Sequence, residues 1–303
     1  MAPAEVVTRH PFHWAVRREL WEHKALYTTP LGVAAVVLVG FVVSVVKGLP
    51  TMDELSSVSQ AIMLSGLHVS VGLLMMAVMY VVALFYCLDA LHGERRDRSI
   101  LFWKSLPVSD LTTVLAKLSV PMVVTPVVIF VASIATQLVI LIVGTLVMLG
   151  SGNNPAQLWT ELPLVSFTVV LAYSLVTMSL WYAPLYGWLL LVSSWARRSI
   201  FLWAVLPPLA VCLLEDIAFN TNHVASLLLQ HLLGGMAQTF LALKGSYSFS
   251  ESGFQSNIDS PAQLARLLDP LQFLAEPGLW AGLVIAAAFV AGAVWMRRYR
   301  EPL

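Results

Sequence analysis

A run of 31 residues without a charged side chain, 119–149, is the feature that most constrains this chain. A second uncharged run covers 164–195. A helix that crosses a bilayer needs about 20 consecutive apolar residues, so runs of this length indicate membrane spans. The composition agrees, because 58% of the residues are hydrophobic and 11% are charged, whereas soluble domains contain about 25% charged residues. The sequence therefore predicts an all-α membrane protein that crosses the bilayer several times.

Six transmembrane helices are predicted from the uncharged apolar segments. They lie at about 27–46, 67–88, 119–149, 164–195, 200–214 and 279–296. The third and fourth segments are longer than one crossing requires, but two crossings joined by a turn would need roughly 40 residues. Each is therefore interpreted as one long helix that is kinked or tilted. The fifth is short and is interrupted by Pro207 and Pro208.

Residues 10–26 are predicted to form an amphipathic elbow helix ahead of the first span. Phe12, Val16 and Leu20 are spaced four apart, with basic residues between them. This spacing places apolar side chains on one face of a helix, as in helices that lie on a membrane surface.

The basic residues indicate the orientation of the spans. If the N-terminus is cytoplasmic and six helices cross, 14 of the 17 Lys and Arg residues fall on the cytoplasmic side, as the positive-inside rule requires. They are Arg9, Arg17, Arg18, Lys24, Arg95, Arg96, Arg98, Lys104, Lys117, Arg197, Arg198, Arg297, Arg298 and Arg300. We expect a multi-pass protein of the bacterial cytoplasmic (inner) membrane with both termini in the cytoplasm.

The outer segment 215–278 contains an apolar stretch, 224–243, that is long enough to be a seventh span. A seventh span would move the basic sequence RRYR, 297–300, to the outside, against the positive-inside rule. We therefore favour a re-entrant or interfacial segment between spans five and six. An external loop with a short helix near 261–268 is predicted to follow.

The sequence lacks the common signatures of catalysis. No P-loop, G-x-S-x-G or H-E-x-x-H motif occurs. His10 and His13 are three residues apart but have no carboxylate or thiol close by, so no metal site is predicted. Cys87 and Cys212 lie in apolar runs and are expected to be buried free thiols. We expect no catalytic residue, metal or cofactor in this chain, and the net charge of zero gives no indication of nucleic acid.

The predicted spans contain no Asp, Glu, Lys or Arg, whereas ion-driven transporters usually place ionisable groups at membrane depth. The polar groups at depth include Gln137, Tyr173 and Thr177. Hydrogen bonds between helices are the favoured explanation for these side chains, and contact with a substrate along a transport path is the alternative. A membrane protein without an internal energy source suggests that a partner supplies the energy.

The cytoplasmic loop 93–118, here called the coupling loop, is the most polar part of the chain. Five consecutive charged residues, 94–98, precede the apolar sequence ILFWKSL, 100–106. Apolar and aromatic side chains of this kind need cover, which favours a surface helix that docks into a groove of another protein. Ser109 or Asp110 is predicted to cap the next helix. The alternative is that the arginines only fix topology and bind lipid head groups.

The coupling loop resembles that of the type-2 ABC transporter permeases, in which E-x-x-x-x-[TS]-[LI] leads to L-P-V-S and a helix with a basic residue. The matching residues are Glu94, Ser99, Ile100, Leu106, Pro107, Val108, Ser109 and Lys117. Asp110 departs from the family, where a basic residue is common. The six spans, the elbow and the outer segment also fit the family layout.

This resemblance implies the transport subunit of an exporter rather than an enzyme. A second copy or a paralogue would complete the pathway as a dimer, and a separate cytosolic ABC ATPase would bind ATP and Mg²⁺. The uncharged path mildly favours an amphiphilic or hydrophobic substrate. The residues implied to contact the ATPase through the loop are Glu94, Arg95, Asp97, Arg98, Ser99, Phe102, Trp103, Leu106, Pro107 and Ser109. The implied second contact, in the elbow, comprises Trp14, Arg17, Arg18, Trp21 and Glu22.

Two other classes of protein remain open. An intramembrane enzyme would need a nucleophile beside a base, and His68 with Ser65 or Ser70 is the nearest candidate pair. A membrane anchor or sensor would recruit a cytosolic partner without transporting anything.

Overall fold

The computed structural model describes residues 11–47, 57–97, 99, 108–150, 156, 159, 162, 164–232, 247–250, 253–256, 268 and 270–299. In chain order, the helices are α1 (Pro11–Glu22), α2 (Ala25–Val46), α3 (Ser57–Asp89), α4 (His92–Arg96), α5 (Asp110–Ser119), α6 (Thr125–Gly150), α7 (Leu164–Trp181), α8 (Ala183–Trp195), α9 (Ile200–Phe219), α10 (223–232), α11 (Pro270–Ala275) and α12 (Pro277–Tyr299). A π-helical turn, Val120–Val124, joins α5 to α6, and strands β1 (Tyr247–Ser250) and β2 (Gly253–Ser256) pair in an antiparallel hairpin.

Six helical segments of the described chain are long and apolar enough to cross a membrane, which confirms the predicted number of spans. They are Ala25–Val46, Gly66–Arg96, Asp110–Gly150, Leu164–Trp181, Ile200–Phe219 and Pro277–Tyr299. The protein is therefore a multi-pass membrane protein. Its core includes Met75, Met79 and the free thiol of Cys87 on α3, which share one apolar cluster with Met178 and Tyr186.

The third span begins earlier than predicted and is one continuous helical rod from Asp110 to Gly150. Ser109 caps it, since its Oγ accepts a hydrogen bond from the Thr112 backbone N–H at 3.1 Å. Pro121 lies in the π-helical turn. Proline has no N–H to donate within the helix, and the wider turn absorbs this defect without ending the helix.

The fourth predicted segment is two helices rather than one kinked helix, because α7 ends at Trp181 and α8 begins at Ala183. Pro184 lies in the first turn of α8. A proline at this position is compatible with the start of a helix but not with an uninterrupted interior. Pro184 therefore explains why the helix is interrupted at Tyr182.

The fifth span runs to Phe219, beyond the predicted end at residue 214, and Pro207 and Pro208 lie inside it. Pro208 cannot donate to the carbonyl oxygen of Ala204, four residues earlier. The indole Nε1–H of Trp188 on α8 donates to that oxygen instead, at 2.9 Å. A neighbouring helix thus satisfies the backbone group that the proline leaves free, as membrane helices require.

Helices α8 and α12 pack side by side and run in the same direction. An added Cβ at Gly187 would lie 3.1 Å from the Ala286 carbonyl oxygen, and one at Gly292 would lie 3.1 Å from Cδ1 of Leu191. Small residues let the two backbones approach closely. Because α9 already supplies one crossing between them, a single further crossing would make α8 and α12 antiparallel. The chain between α9 and α12 therefore starts and ends on one side of the membrane.

The described part of the outer segment packs back onto the bundle. Glu215, near the end of α9, accepts hydrogen bonds from the backbone N–H groups of His223 and Val224 at 2.9 and 2.7 Å and so caps α10. The ring of His231 stacks on that of Trp181, with 4.9 Å between centroids. The rest of the predicted re-entrant stretch and, apart from residue 268, the predicted helix near 261–268 lie outside the described residues.

Candidate functional site

Glu94, on the short helix α4 at the end of the second span, is buried with 6% of its surface exposed. Arg18 donates to Oε1 of Glu94 at 2.7 Å, and Arg297 donates to Oε2 at 2.5 Å. The ammonium group of Lys117 lies 3.1 Å from Oε1. Burial of a carboxylate is costly unless it is paired and hydrogen-bonded, and here cations from α1, α5 and α12 compensate one carboxylate.

Glu19 on α1 is a second buried carboxylate beside the first. Lys117 donates to both of its oxygens, at 2.9 and 3.0 Å, and Tyr86 donates to Oε2 at 2.8 Å. Burial alone would raise the pKa of Glu19, but the positive charges of Lys117 and Arg18 outweigh burial and lower the pKa to about 2. Glu19 is therefore ionised, and Lys117, which is fully buried, bridges the two carboxylates.

Arg297 extends the network to a third carboxylate, because its Nε donates to Oδ1 of Asp110 at 3.1 Å. The network, here called the ionic cluster, comprises Arg18, Glu19, Glu94, Asp110, Lys117 and Arg297. Its three cations match its three anions in number, so the cluster is neutral as a whole. It joins the elbow helix, the coupling loop, the start of the third span and the end of the last span.

A second set of contacts holds α4 against the C-terminal end of α8. Arg95 donates to the backbone oxygens of Ser194 and Ala196 at 2.8 and 3.2 Å. The Ser193 hydroxyl accepts from the backbone N–H groups at the start of α4, those of Leu91 and His92, at 3.0 and 2.9 Å. A cation at the last carbonyls of a helix is favourable, so Arg95 caps α8 and fixes α4 to the end of that helix.

Two of the residues that the resemblance implies to contact the ATPase are buried inside the chain. Glu94 and Arg95 are both buried against their own chain, since they pair with charges and carbonyls that the fold brings to them. Asp97 and Ser109 are exposed, and the Ser99 hydroxyl donates to the Glu94 backbone oxygen at 3.4 Å. The predicted residues Arg98, Phe102, Trp103, Leu106 and Pro107 lie outside the described residues.

The predicted elbow residues divide between two faces of α1. Arg18 belongs to the ionic cluster, and its Nε lies 3.6 Å from Oε1 of the partly exposed Glu22. Trp14 and Trp21 are exposed, and the Arg17 guanidinium lies between their rings, 5.4 and 4.8 Å from the centroids.

Sequence reasoning assigned no role to Glu19 or Tyr86. It counted Lys117 and Arg297 among the basic residues that indicate the orientation of the spans, and it noted Lys117 also as a match to a family pattern. The available signal was a charge that borders a long apolar run, as at Lys117 and Arg297. Such charges were attributed to topology, whereas the fold uses them to compensate buried carboxylates.

The three residues of the predicted substrate path make helix contacts. The Gln137 side chain donates to the His68 backbone oxygen on α3 at 3.4 Å, which is the kind of bond between helices that the sequence favoured. The Thr177 hydroxyl donates to backbone oxygens of its own helix, including that of Tyr173 at 3.0 Å. Tyr173 is half-buried.

The described residues with metal-ligand chemistry in close proximity are Glu19, Glu22 and His23. Lys117 and Arg18 already occupy the oxygens of Glu19 at hydrogen-bond distance. A cation there would compete with two resident positive charges, so the arrangement suits an internal ion pair better than a metal.

In the candidate pair for an intramembrane enzyme, the hydroxyl of Ser70 is directed to its own helix. Ser70 donates to the Leu67 backbone oxygen of its own helix at 2.8 Å, and the ring of His68 stacks on Phe167. The side chain of Ser65 lies outside the described part of the chain.

Comparison with known proteins identifies no relative: no family model matches the chain, and neither a curated protein nor a solved structure is significantly similar to it.

Proposed function

We propose that this chain is the permease subunit of an ATP-driven ABC transporter of the bacterial cytoplasmic membrane, exporting an amphiphilic or hydrophobic substrate. A separate cytosolic ATPase binds ATP and Mg²⁺, because the chain itself has no P-loop. A second copy or a paralogue completes the pathway. The choice of family in this proposal rests on the resemblance of the coupling loop to that of the type-2 ABC transporter permeases.

The observation that carries the proposal is the position of Glu94 in the ionic cluster. Its side chain pairs with Arg18 of the elbow, Lys117 of the third span and Arg297 of the last span. A partner that displaces the coupling loop therefore displaces the ends of several spans together. A transporter needs such coordinated movement, whereas a passive anchor does not.

Docking and transmission fall to different residues in this proposal. The apolar residues Phe102, Trp103 and Leu106 enter the groove of the ATPase, and Pro107 separates them from the third span. Glu94 and Arg95 transmit the displacement from inside the chain, because they attach α4 to the cluster and to α8.

The test is purification of the tagged chain in mild detergent from cells that also express the neighbouring genes. The proposal expects a P-loop ATPase to co-purify, and Trp103→Ala to lower its yield. Asp89→Asn, a change outside the loop, is the matched control and leaves the yield unchanged. Purification without any ATPase, under conditions in which the chain stays folded, would contradict the proposal.

A further inference from the structure

The exposed face of α1 carries an arginine between two tryptophans, here called the Trp14–Arg17–Trp21 stripe. Trp14 and Trp21 are 56% and 63% exposed. The spacings of three and four residues place all three side chains on one face of the helix. A guanidinium stacked within about 6 Å of aromatic rings is oriented by the cation–π attraction, so Arg17 is held in place while its donors stay accessible.

The opposite face of α1 fixes the direction in which the stripe points. Glu19 is buried against Lys117 and Tyr86, and Arg18 reaches Glu94. These bonds prevent α1 from rolling about its axis, because rotation would break a buried pair. The stripe therefore faces away from the bundle.

The connection to the first span sets the level of the stripe. Only His23 and Lys24 separate α1 from α2. Helix α2 has 22 residues, or about 33 Å at 1.5 Å per residue, which matches the ~30 Å hydrocarbon core. The start of α2 thus lies at the membrane boundary, and α1 lies within a few residues of the lipid head groups.

The charge of the stripe is available to an anion. No described carboxylate lies within 4 Å of the Arg17 guanidinium, whereas Arg18, Arg96 and Arg297 are each paired with one. The arginine fork matches phosphate oxygens, and tryptophan rings are enriched at the level of lipid head groups. We infer that the Trp14–Arg17–Trp21 stripe binds the phosphate of an anionic phospholipid.

This assignment replaces the ATPase contact that the family resemblance implies for these three residues. It stands independently of the proposed function, since a lipid site on α1 is compatible with a transporter, an anchor or an enzyme.

The test is native mass spectrometry of the full-length protein, titrated in detergent with phosphatidylglycerol or with zwitterionic phosphatidylcholine. Arg17→Gln is expected to weaken phosphatidylglycerol binding about fivefold, the effect of one basic residue near an anionic surface. Trp14→Ala with Trp21→Ala is expected to weaken it as well. Phosphatidylcholine binding should change little in either variant.

Arg298→Gln is the matched control, because Arg298 is exposed and lies beside the ring of Tyr299 at the end of the last span. Because Arg298 has one ring beside it where Arg17 has two, Arg298→Gln should weaken phosphatidylglycerol binding less than Arg17→Gln does. An equal loss in Arg298→Gln, or no loss in Arg17→Gln, would overturn the inference. It would also be overturned if Arg17→Gln abolished co-purification of an ATPase without affecting lipid binding, or if Arg17 bound inorganic phosphate in the absence of lipid.

Discussion

Lys117 is the most deeply buried cation of the ionic cluster. It is fully buried, and like Arg18 it pairs with both Glu19 and Glu94. Removal of one partner from a buried ion pair leaves an uncompensated charge, whereas removal of both partners is often tolerated. The contribution of Lys117 to the stability of the fold therefore depends on the presence of the carboxylates of Glu19 and Glu94.

Lys117→Met is expected to destabilise the protein by about 3–5 kcal/mol, because two buried carboxylates each lose one of the cations that compensate them. The free energy of unfolding in detergent, from denaturant titration, is the measurement. Adding Glu19→Gln to Lys117→Met should recover part of the loss, since the two sites are coupled. Strictly additive losses, or an equal loss for the exposed Lys24→Met, would contradict the pairing.

The pH dependence of stability reports on Glu19. The pKa of this carboxyl is about 2 in the folded protein, below the ordinary value of about 4.3 for a glutamate. Its ionisation therefore stabilises the fold above pH 4.3, and that stabilisation is lost as the pH falls from about 4.3 towards 2. Thermal unfolding between pH 7 and pH 3 should show this loss, and Glu19→Gln should lack it.

The experiment on pH dependence needs a control for the protonation of His23. Its pKa is lowered, chiefly by burial, so the neutral ring is favoured in the folded state. The associated stability is present above the ordinary pKa of about 6.5 and is lost as the pH falls below it. Glu19→Gln in a His23→Gln background separates the two transitions; an unchanged acid loss there would exclude Glu19 as its source.

The sequence could predict the cap at Ser109 but not the partners of Glu94. A cap involves residues a few positions apart, and its pattern is local. Arg18 and Arg297 lie 76 and 203 residues from Glu94 along the chain. Only the packed fold brings such groups together, and for this reason the sequence did not indicate that Glu94 is buried.

At the scale of the elements, the prolines show what a sequence pattern can predict and what it cannot. Pro121 widens one turn, Pro184 begins a helix, and Pro207 with Pro208 stays inside a span. The sequence locates each defect in backbone hydrogen bonding. It does not show which neighbouring helix supplies the missing hydrogen bond. For this reason the predicted fifth span was too short.

Trp188→Phe is expected to destabilise the protein by about 1 kcal/mol, because the Ala204 carbonyl would lose its donor while the apolar ring remains. The midpoint of thermal unfolding in detergent measures this effect. Trp295→Phe is the matched control, since Trp295 is exposed and its ring lies tilted beside that of Tyr299, with 5.5 Å between the centroids. A larger loss for Trp295→Phe would contradict the role of the indole N–H.

At the scale of the whole molecule, the parallel packing of α8 and α12 constrains the path of the chain. Both helices must cross in the same direction, so the segment between α9 and α12 returns to the side it left. The six-span prediction from basic residues requires the same arrangement. Charge distribution and helix packing thus lead independently to one topology.

This topology predicts where engineered cysteines react in intact cells after Cys87 and Cys212 are replaced. Asp97→Cys and Arg298→Cys should be protected from a membrane-impermeant maleimide, because both positions are expected in the cytoplasm. Asn222→Cys, at the start of the outer segment, should react. Labelling of Arg298→Cys from outside would contradict the six-span arrangement.

The ATP turnover of the reconstituted complex tests most directly the central claim, that Glu94 transmits the displacement of the coupling loop to the spans. The ATPase that co-purifies with the chain is assembled in lipid nanodiscs with the wild-type chain, with Glu94→Gln or with the Asp89→Asn control. The account predicts that Glu94→Gln still assembles with the ATPase but reduces ATP turnover to that of the ATPase alone, while Asp89→Asn behaves as wild type. Full turnover in an assembled Glu94→Gln complex would contradict it.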